Sequence, residues 1–231
     1  MLPLPSGFPT LPPRPYIERM ELHLADIFDL FKKIEKTPAV SPIPVTHLIV
    51  GLGNPGREYA GTRHNVGFDA VTALAARLGV SLDRARHSAL TAEATVGGVR
   101  ALLMLPQTYM NSSGEAVADA ARFYRIPPEN ILVFCDDVSF VPGRIRIRRS
   151  GSHGGHNGLR SIIAYLSSDA FPRVKIGVGQ KPEGWDLVDW VLGRLPDGDA
   201  AAVRERQDDM IDAASLILSG RIEDAMMRYS K

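Results

Sequence analysis

Short apolar runs that alternate with segments of helical period limit this chain to few architectures. The runs at residues 47–51 and 131–135 are apolar and rich in β-branched side chains, which is typical of strands buried on both faces. Two more strands flank Gly97 and Gly98, a dipeptide that favours a two-residue hairpin turn. The pattern predicts a single α/β domain with a mixed, mostly parallel twisted sheet flanked by helices.

Polar residues mark the ends of two predicted helices. Asn65 stands before the first helix and Gly79 follows it, at the positions that capping residues prefer. Ser112 and Glu115 have capping-box spacing at the start of the second. We therefore expect the side chains of Asn65 and Ser112 to bind free backbone N–H groups.

The amino-terminal segment differs in composition from the rest of the chain. Six of its first 15 residues are proline, which blocks regular hydrogen bonding, and residues 17–34 have the period of an amphipathic helix. We divide the chain into an extension, residues 1–45, and a folded domain, residues 46–231. A docking or dimerising role for the extension and an upstream start-codon error, with Met20 as the true start, both stay open.

Composition excludes several classes of protein. The 231 residues hold 27 basic and 26 acidic side chains, so affinity for an anion must come from local clustering. The single cysteine excludes an internal disulfide framework, and no apolar run approaches the roughly 20 residues of a membrane span. We expect a soluble cytoplasmic protein, a monomer, with no membrane partner.

Four polar clusters follow predicted strands and turns, where open α/β sheets build their sites. They are Gly51-Leu-Gly-Asn54-Pro-Gly with Thr62-Arg-His64-Asn65, Tyr109-Met-Asn111-Ser-Ser-Gly, Cys135-Asp136-Asp137, and Gly151-Ser-His153-Gly-Gly-His156-Asn157-Gly158. The first cluster also has the glycine spacing of a dinucleotide-binding turn. Against that reading, Pro55 interrupts the turn, and no acidic residue ends a second strand about 20 residues on.

Together and in this order, the four clusters resemble the bacterial-type peptidyl-tRNA hydrolase family across residues 47–231. The resemblance implies a metal-independent esterase without a cofactor, which cleaves the ester between peptide and tRNA and so recycles prematurely released peptidyl-tRNA. The chain departs from the family pattern at residues 138–140, Val-Ser-Phe, where an acidic residue is usual. That departure leaves one loop contact in doubt.

The resemblance also implies catalytic roles. It makes His64 the general base, Asp136 the carboxylate that orients His64, and Asn111 a holder of substrate and attacking water. The chemistry agrees, because imidazole has an ordinary pKa near about 6.5 and a carboxylate partner stabilises the imidazolium. Uncharged amides suit a peptide backbone and an oxyanion, so Asn111 is also a candidate donor to the oxyanion.

Further residues match binding positions of the family. Asn54 would bind the peptide, and Asn157, which follows His156, would position water or the tRNA end. His156, Tyr59 and Met110 are further candidates for contact with the substrate. Packing explains Tyr59 and Met110 nearly as well.

The resemblance places Arg146, Arg148 and Lys175 against tRNA phosphates. Alternate residues of a strand lie about 6 to 7 Å apart, close to the spacing of phosphates along a nucleic acid. Four more basic residues would widen this patch: Arg149, Arg160, Arg173 and Lys181. A solvated sheet face is the alternative interpretation.

Other interpretations compete with an esterase. His153 and His156 could ligate a metal with Asp136 and Asp137, although the surrounding asparagines are poor ligands. A non-catalytic RNA-binding protein on the same scaffold is a second alternative, as in a plant organellar splicing factor similar to this family. Cys135, at the end of an apolar strand, is expected to be a small core residue rather than a nucleophile.

Overall fold

The structure is a computed structural model that describes residues 43–230. The proline-rich segment and the helix expected over residues 17–34 lie outside the described residues. Val45 is buried in the core beside the first strand, so the folded unit already includes this residue.

Seven strands form one sheet in the order β2-β3-β4-β1-β5-β7-β6. In chain order they are β1 (His47–Gly51), β2 (Arg84–Arg86), β3 (Ala89–Val96), β4 (Val99–Pro106), β5 (Ile131–Asp137), β6 (Ile145–Arg148) and β7 (Arg173–Gly177). The four central strands β4, β1, β5 and β7 pair in parallel, whereas β2, β3 and β6 pair antiparallel at the two edges. The mixed sheet is confirmed, and its parallel part is the centre.

The described part of the chain also contains seven α-helices. They are α1 (Val66–Arg77), α2 (Ser113–Tyr124), α3 (Asn157–Leu166), α4 (Leu187–Leu192), α5 (Asp197–Arg204), α6 (Gln207–Leu218) and α7 (Ile222–Tyr229). Successive side chains of β1 point to opposite faces: Ile49 packs with α1 and α6, while Leu48 and Val50 pack with α2 and α3. The sheet is therefore buried on both faces, as its apolar strands predicted.

The hairpin and the helix starts test the local predictions. Gly97 and Gly98 both have positive φ, 58° and 83°, as a type I′ turn requires. Asn65 and Ser112 do occupy the N-cap positions of α1 and α2, but neither side chain makes a capping hydrogen bond. The prediction of side-chain caps was wrong, because the Asn65 side chain binds a neighbouring loop instead.

Within residues 43–230, none of the helices combines the length and the apolar character needed to cross a bilayer.

Candidate active site

The sheet brings three of the polar clusters to one place. Asp136 lies near the carboxyl end of the central strand β5, and His64 lies in a 3₁₀ turn, Arg63–Asn65, that leads into α1. His156 is the N-cap of α3. Side chains separated by 72 and 20 positions from Asp136 thus meet on this one carboxylate.

His64 and Asp136 form a buried hydrogen-bonded pair. The distance from Nδ1 of His64 to Oδ1 of Asp136 is 2.7 Å, and the two residues are 7% and 3% exposed. An ionised carboxylate only accepts hydrogen bonds, so Nδ1 carries the proton. The second ring nitrogen, Nε2, is left with the lone pair that a base needs.

His156 donates a second hydrogen bond to the same oxygen. Its Nδ1 accepts from the backbone N–H groups of Gly158 and Leu159, at 3.1 and 3.3 Å, so this nitrogen has no proton. The proton therefore resides on Nε2, which lies 3.0 Å from Oδ1 of Asp136. Capping α3 thereby fixes the tautomer of His156.

The two histidines keep Asp136 ionised although it is buried. Burial raises the pKa of Asp136, but the attraction of His156 and His64 and their hydrogen bonds outweigh it, so the pKa lies well below its usual range. Asp136 can consequently stabilise positive charge on an adjacent imidazole.

The same three side chains also have the spacing of a metal site, since one ligand atom from each of His64, Asp136 and His156 lies within 4.8 Å of the others. The ring nitrogens that face Asp136 both hold protons, so a cation would have to displace both hydrogen bonds. The two hydrogen bonds already satisfy Oδ1 of Asp136 and both ring nitrogens that face it, without a cation.

The metal set considered from the sequence is not assembled. Nδ1 of His153 accepts from the N–H of Gly155 at 3.0 Å. Asp137, the second acid of that set, is only 7% exposed and pairs with Lys175 at 2.6 Å. It also accepts the N–H of Ser139 at 2.8 Å, so both carboxylate oxygens are engaged.

Two cavities meet at His64. The first has a volume of about 180 Å³ and is lined by His64, Asp136, Asp137, Val138, Ser139, His153, Gly154, Gly155, His156, Asn157, Lys175, Leu187, Val188 and Val191. The second has a volume of about 210 Å³ and is lined by Asn54, His64, Tyr109, Met110, Asn111, Asn157, Val188, Val191 and Leu192. We call them the lysine cavity and the asparagine cavity. Both include His64 and Asn157.

A buried network shapes the asparagine cavity. The side chain of Asn65 accepts the N–H of Asn54 and donates to its carbonyl, both at 2.9 Å. Oδ1 of Asn54 in turn accepts the N–H of Met110 at 2.8 Å. The side-chain oxygen of Asn54 is therefore occupied, and its amide NH₂ is the group left to donate.

The remaining residues expected near the substrate differ in exposure. Asn111 is exposed and Met110 is only 4% exposed, although both line the asparagine cavity. Tyr59 is outside the lining of both cavities and packs edge-on against Tyr109, with ring centroids 6.4 Å apart. Tyr109, to which the sequence analysis gave no role, is the tyrosine in the cavity wall.

The basic residues of β6 and β7 form a short patch. Ile145 and Ile147 are buried, whereas Arg146 and Arg148 are partly exposed. Arg146 is the cross-strand neighbour of Lys175, so their side chains lie on one face of the sheet. This face adjoins the lysine cavity, which Lys175 lines.

The predicted widening of the patch by Arg173 was wrong. Arg173 is 2% exposed, and its guanidinium donates to the carbonyls of Gly151, Ser152, Asp169 and Phe171. Arg149 pairs with Glu223, Arg160 binds Asn157, and Lys181 binds the carbonyls of Pro182 and Trp185.

Cys135 is fully buried in β5, and burial raises the pKa of its thiol to about 12. A neutral, inaccessible thiol is a poor nucleophile.

Comparison with known proteins identifies the family of this chain. Residues 48–231 match the family model described as peptidyl-tRNA hydrolase. The chain belongs to the peptidyl-tRNA hydrolase family. A relative so named from Agathobacter rectalis is 49% identical over 185 residues, which are 80% of this chain and 100% of the relative. One from Moorella thermoacetica is 50% identical over 184 residues, 79% and 97% of the two chains.

A solved structure shares the fold. The crystal structure of peptidyl-tRNA hydrolase from Acinetobacter baumannii superimposes with a TM-score of 0.76 at 38% identity, over 80% of this chain and 94% of that one. The fold of the described residues is thus that of the family.

Sequence reasoning missed the apolar wall of the site. Four residues of α4 line one or both cavities: Leu187, Val188, Val191 and Leu192. A signal was present, because Asp186 precedes the helix and accepts the N–H groups of Val188 and Asp189 as a side-chain cap. Nothing in the sequence linked this helix to His64, more than 120 residues away.

Proposed function

We propose that the protein hydrolyses the ester bond between a peptide and tRNA, releasing free tRNA and peptide, with His64 as the general base. The observation that carries the proposal is the His64–Asp136 pair at the junction of the two cavities. Family membership supports the reaction, and the pair supports the roles. A base beside water and an activated ester is sufficient for this reaction, without a metal or another cofactor.

The chemical step begins at Nε2 of His64. This nitrogen takes a proton from water as the water oxygen attacks the ester carbonyl carbon, and Asp136 stabilises the imidazolium that forms. The tetrahedral intermediate then breaks its bond to the ribose oxygen, which receives the proton from His64. Free tRNA with a ribose hydroxyl and a peptide carboxylic acid leave, the acid releases its proton to water to become a carboxylate, and His64 is again neutral.

The asparagine cavity suits the peptide side of the ester. Asn54 and Asn111 offer amide groups to the peptide backbone, and Met110 supplies apolar surface. The side-chain NH₂ of Asn111 can donate a hydrogen bond to the developing oxyanion, and this exposed side chain can reach a bound substrate. Tyr59 acts through Tyr109, whose ring it supports.

The lysine cavity suits the tRNA side. Asn157 stands between the two cavities, and its oxygen is bound by Arg160 at 2.7 Å, which leaves its NH₂ group to position water or the terminal nucleotide. His156 acts on the site through Asp136 rather than through the substrate, because both of its ring nitrogens are engaged.

Phosphates of the tRNA would bind Arg146, Arg148 and Lys175. Contacts of this type tolerate any sequence, which suits an enzyme that must accept every tRNA. Lys175 is also paired with Asp137, so it would contribute less net charge than the two arginines. We further propose that the protein acts as a monomer in the cytoplasm, where its substrate arises.

A cleavage assay tests this proposal. His64→Ala should lower the rate of hydrolysis of N-blocked aminoacyl-tRNA by about 100-fold to 10,000-fold, with tRNA binding retained. A matched control is His47→Ala, since His47 is the first residue of β1, at the end of the strand away from the site, and binds Thr46. A chelator should leave the wild-type rate unchanged.

Three results would defeat the proposal. Wild-type turnover in His64→Ala would show that His64 is not the general base. Binding of tRNA without cleavage by the wild type would favour the non-catalytic RNA-binding protein. Loss of activity with chelator, restored by added metal, would favour a metal site on His64, Asp136 and His156.

A further inference from the structure

Arg63 directly precedes His64, has no part in the reaction above, and is nevertheless buried. Only 6% of the residue is exposed. Its guanidinium carbon lies 3.6 Å from the ring centroid of Trp190, and Nη1 donates to the carbonyls of Trp190 and Arg194 at 3.3 and 3.1 Å. All three contacts join the turn that carries His64 to the segment that contains α4.

The backbone joins the same two segments. The N–H of Arg63 donates to the carbonyl of Gly193 at 3.1 Å, and the N–H of Leu195 donates to the carbonyl of Gly61 at 2.9 Å. Thr62 and Arg194 form an isolated antiparallel bridge. The end of α4 is therefore attached to the His64 turn over several consecutive residues.

Gly193 leaves the space that the guanidinium occupies. A Cβ atom at this position would lie 2.9 Å from Nη1 of Arg63, closer than carbon and nitrogen approach without movement. The Arg63 contact thus depends on a glycine directly after α4.

Trp190 completes the contact from the side of α4. Its Nε1 donates to the carbonyl of Gly179 at 3.2 Å, and its ring meets Trp185 edge-on, with centroids 5.8 Å apart. Nε of Arg63 is buried without a hydrogen-bond partner within residues 43–230. The aromatic face of Trp190 and the two backbone carbonyls are therefore the groups that contact and stabilise this cation. Attraction between a cation and an aromatic face is stronger where water is excluded.

The helix that is held in this way has little stability of its own. It spans six residues, and only Val191 among them is buried, while Leu187 and Val188 are 39% and 51% exposed. Isolated helices of this length are unstable in water, so contacts outside the helix must fix its position. Yet Val188 and Val191 line both cavities beside His64.

We propose that Arg63 and Trp190 are positioning residues that hold α4 as an apolar wall shared by both cavities, and that this wall binds the substrate on either side of the ester. The proposal rests on the proposed function for the identity of the substrate. The side chains of α4 that face the cavities carry no group that transfers a proton, so the wall contributes to binding rather than to the chemical step. Its loss should raise KM more than it lowers kcat.

Substitutions at Trp190 test the contact with the least damage to the fold. Both Trp190→Leu and Trp190→Phe lose the hydrogen bond to Gly179, but only Trp190→Phe keeps an aromatic face under Arg63. Trp185→Leu is the matched control, because Trp185 is 55% exposed and its ring does not carry the Arg63 guanidinium.

We expect Trp190→Leu to raise KM for N-blocked aminoacyl-tRNA by about tenfold and to change kcat by less than about threefold. Hydrogen exchange at the amides of residues 187–192 should accelerate by about tenfold, with β5 unchanged. Trp190→Phe should recover most of both properties, and Trp185→Leu should match the wild type.

Unchanged exchange in residues 187–192 of Trp190→Leu would overturn the proposal, as would an equal rise of KM in Trp185→Leu. Failure of Trp190→Phe to recover either property would also overturn it, since the lost hydrogen bond to Gly179 would then explain the effect. If the wild type cleaves no N-blocked aminoacyl-tRNA, the proposed function fails, and the exchange of residues 187–192 still decides whether Arg63 and Trp190 hold α4.

Discussion

Nε2 of His156 lies 3.0 Å from the oxygen of Asp136 that is also 2.7 Å from Nδ1 of His64. One carboxylate oxygen therefore receives two imidazole N–H groups, and each imidazole has its tautomer fixed by its partners. The backbone N–H groups at the start of α3 hold His156. The helix therefore acts on His64 through two side chains, first His156 and then Asp136.

His156→Asn should separate the two tasks of this residue. Asparagine is a good N-cap and should keep α3 in place, but its shorter side chain should not reach Asp136. We expect kcat/KM to fall by about tenfold to 100-fold, because Asp136 would hold His64 less firmly, with thermal stability close to that of the wild type. Kinetics and thermal unfolding of the same preparation measure both. Full activity in this variant would show that the second hydrogen bond is dispensable.

Asp136 should make stability depend on acid pH. Its pKa is lower in the folded protein than the value of about 3.9 expected in an unfolded chain. Ionisation of Asp136 therefore adds to the free energy of unfolding above that pH, and this contribution is lost as pH falls toward the folded pKa. Between about pH 5 and about pH 3, the free energy of unfolding should fall less in Asp136→Asn than in the wild type.

Urea unfolding at the two pH values measures this difference. Asp208→Asn is the control, since Asp208 is a largely exposed partner of Arg77 and should leave the pH dependence unchanged. Equal pH dependence in Asp136→Asn and wild type would contradict the pKa assigned to Asp136.

Arg173 should stabilise the loop that carries His156. Arg173→Lys would leave several buried carbonyls without the donors they now have, and we expect a loss of about 3 kcal/mol in the free energy of unfolding. Arg77→Lys, at an exposed ion pair, should change it by less than about 0.5 kcal/mol. Chemical denaturation compares the two. Similar small losses in both variants would mean that the buried guanidinium adds no stability.

The arginines of β6 should contribute to tRNA binding through charge. In a His64→Ala background, which prevents cleavage, Arg148→Ala should reduce the slope of log K against log salt concentration by about one. Arg77→Ala, which removes an equal charge from α1, should leave the slope unchanged. A binding titration at several salt concentrations gives the slopes. The same slope in Arg148→Ala and the parent would place the tRNA elsewhere.

The sequence predicted the elements that have a strong period or a strong turn signal. β1 runs over His47–Gly51 as expected, and the glycines at 97 and 98 form the expected hairpin. These features depend on local conformation, which the sequence determines over a few residues.

Predictions that depended on tertiary contacts were less successful. Asn65 has the residue type and position of a cap, but Asn54 lies close enough to take both of its hydrogen-bonding groups. Arg173 looks like a surface cation in the sequence and is buried because four backbone carbonyls converge on it. Helix α4 has a capping aspartate, but its place beside His64 depends on Arg63 and Trp190.

The motif residues of the site met as a group for a general reason. The carboxyl ends of parallel strands lie at the same edge of a sheet, so polar residues that follow these strands converge whatever the lengths of the intervening helices. The exposure and the hydrogen-bond partners of each side chain do not follow from its position after a strand, so the sequence did not predict them. Asn54, for example, uses its oxygen to hold the N–H of Met110.

A double-mutant cycle tests the central claim most directly, namely that His64 and Asp136 act as one catalytic unit. We expect kcat/KM for N-blocked aminoacyl-tRNA to fall by about 100-fold to 10,000-fold in Asp136→Asn and in His64→Ala. Asp136→Asn should cost less than about threefold more when His64→Ala is already present, because the carboxylate acts only through the imidazole. Full additivity of the two losses would contradict the account.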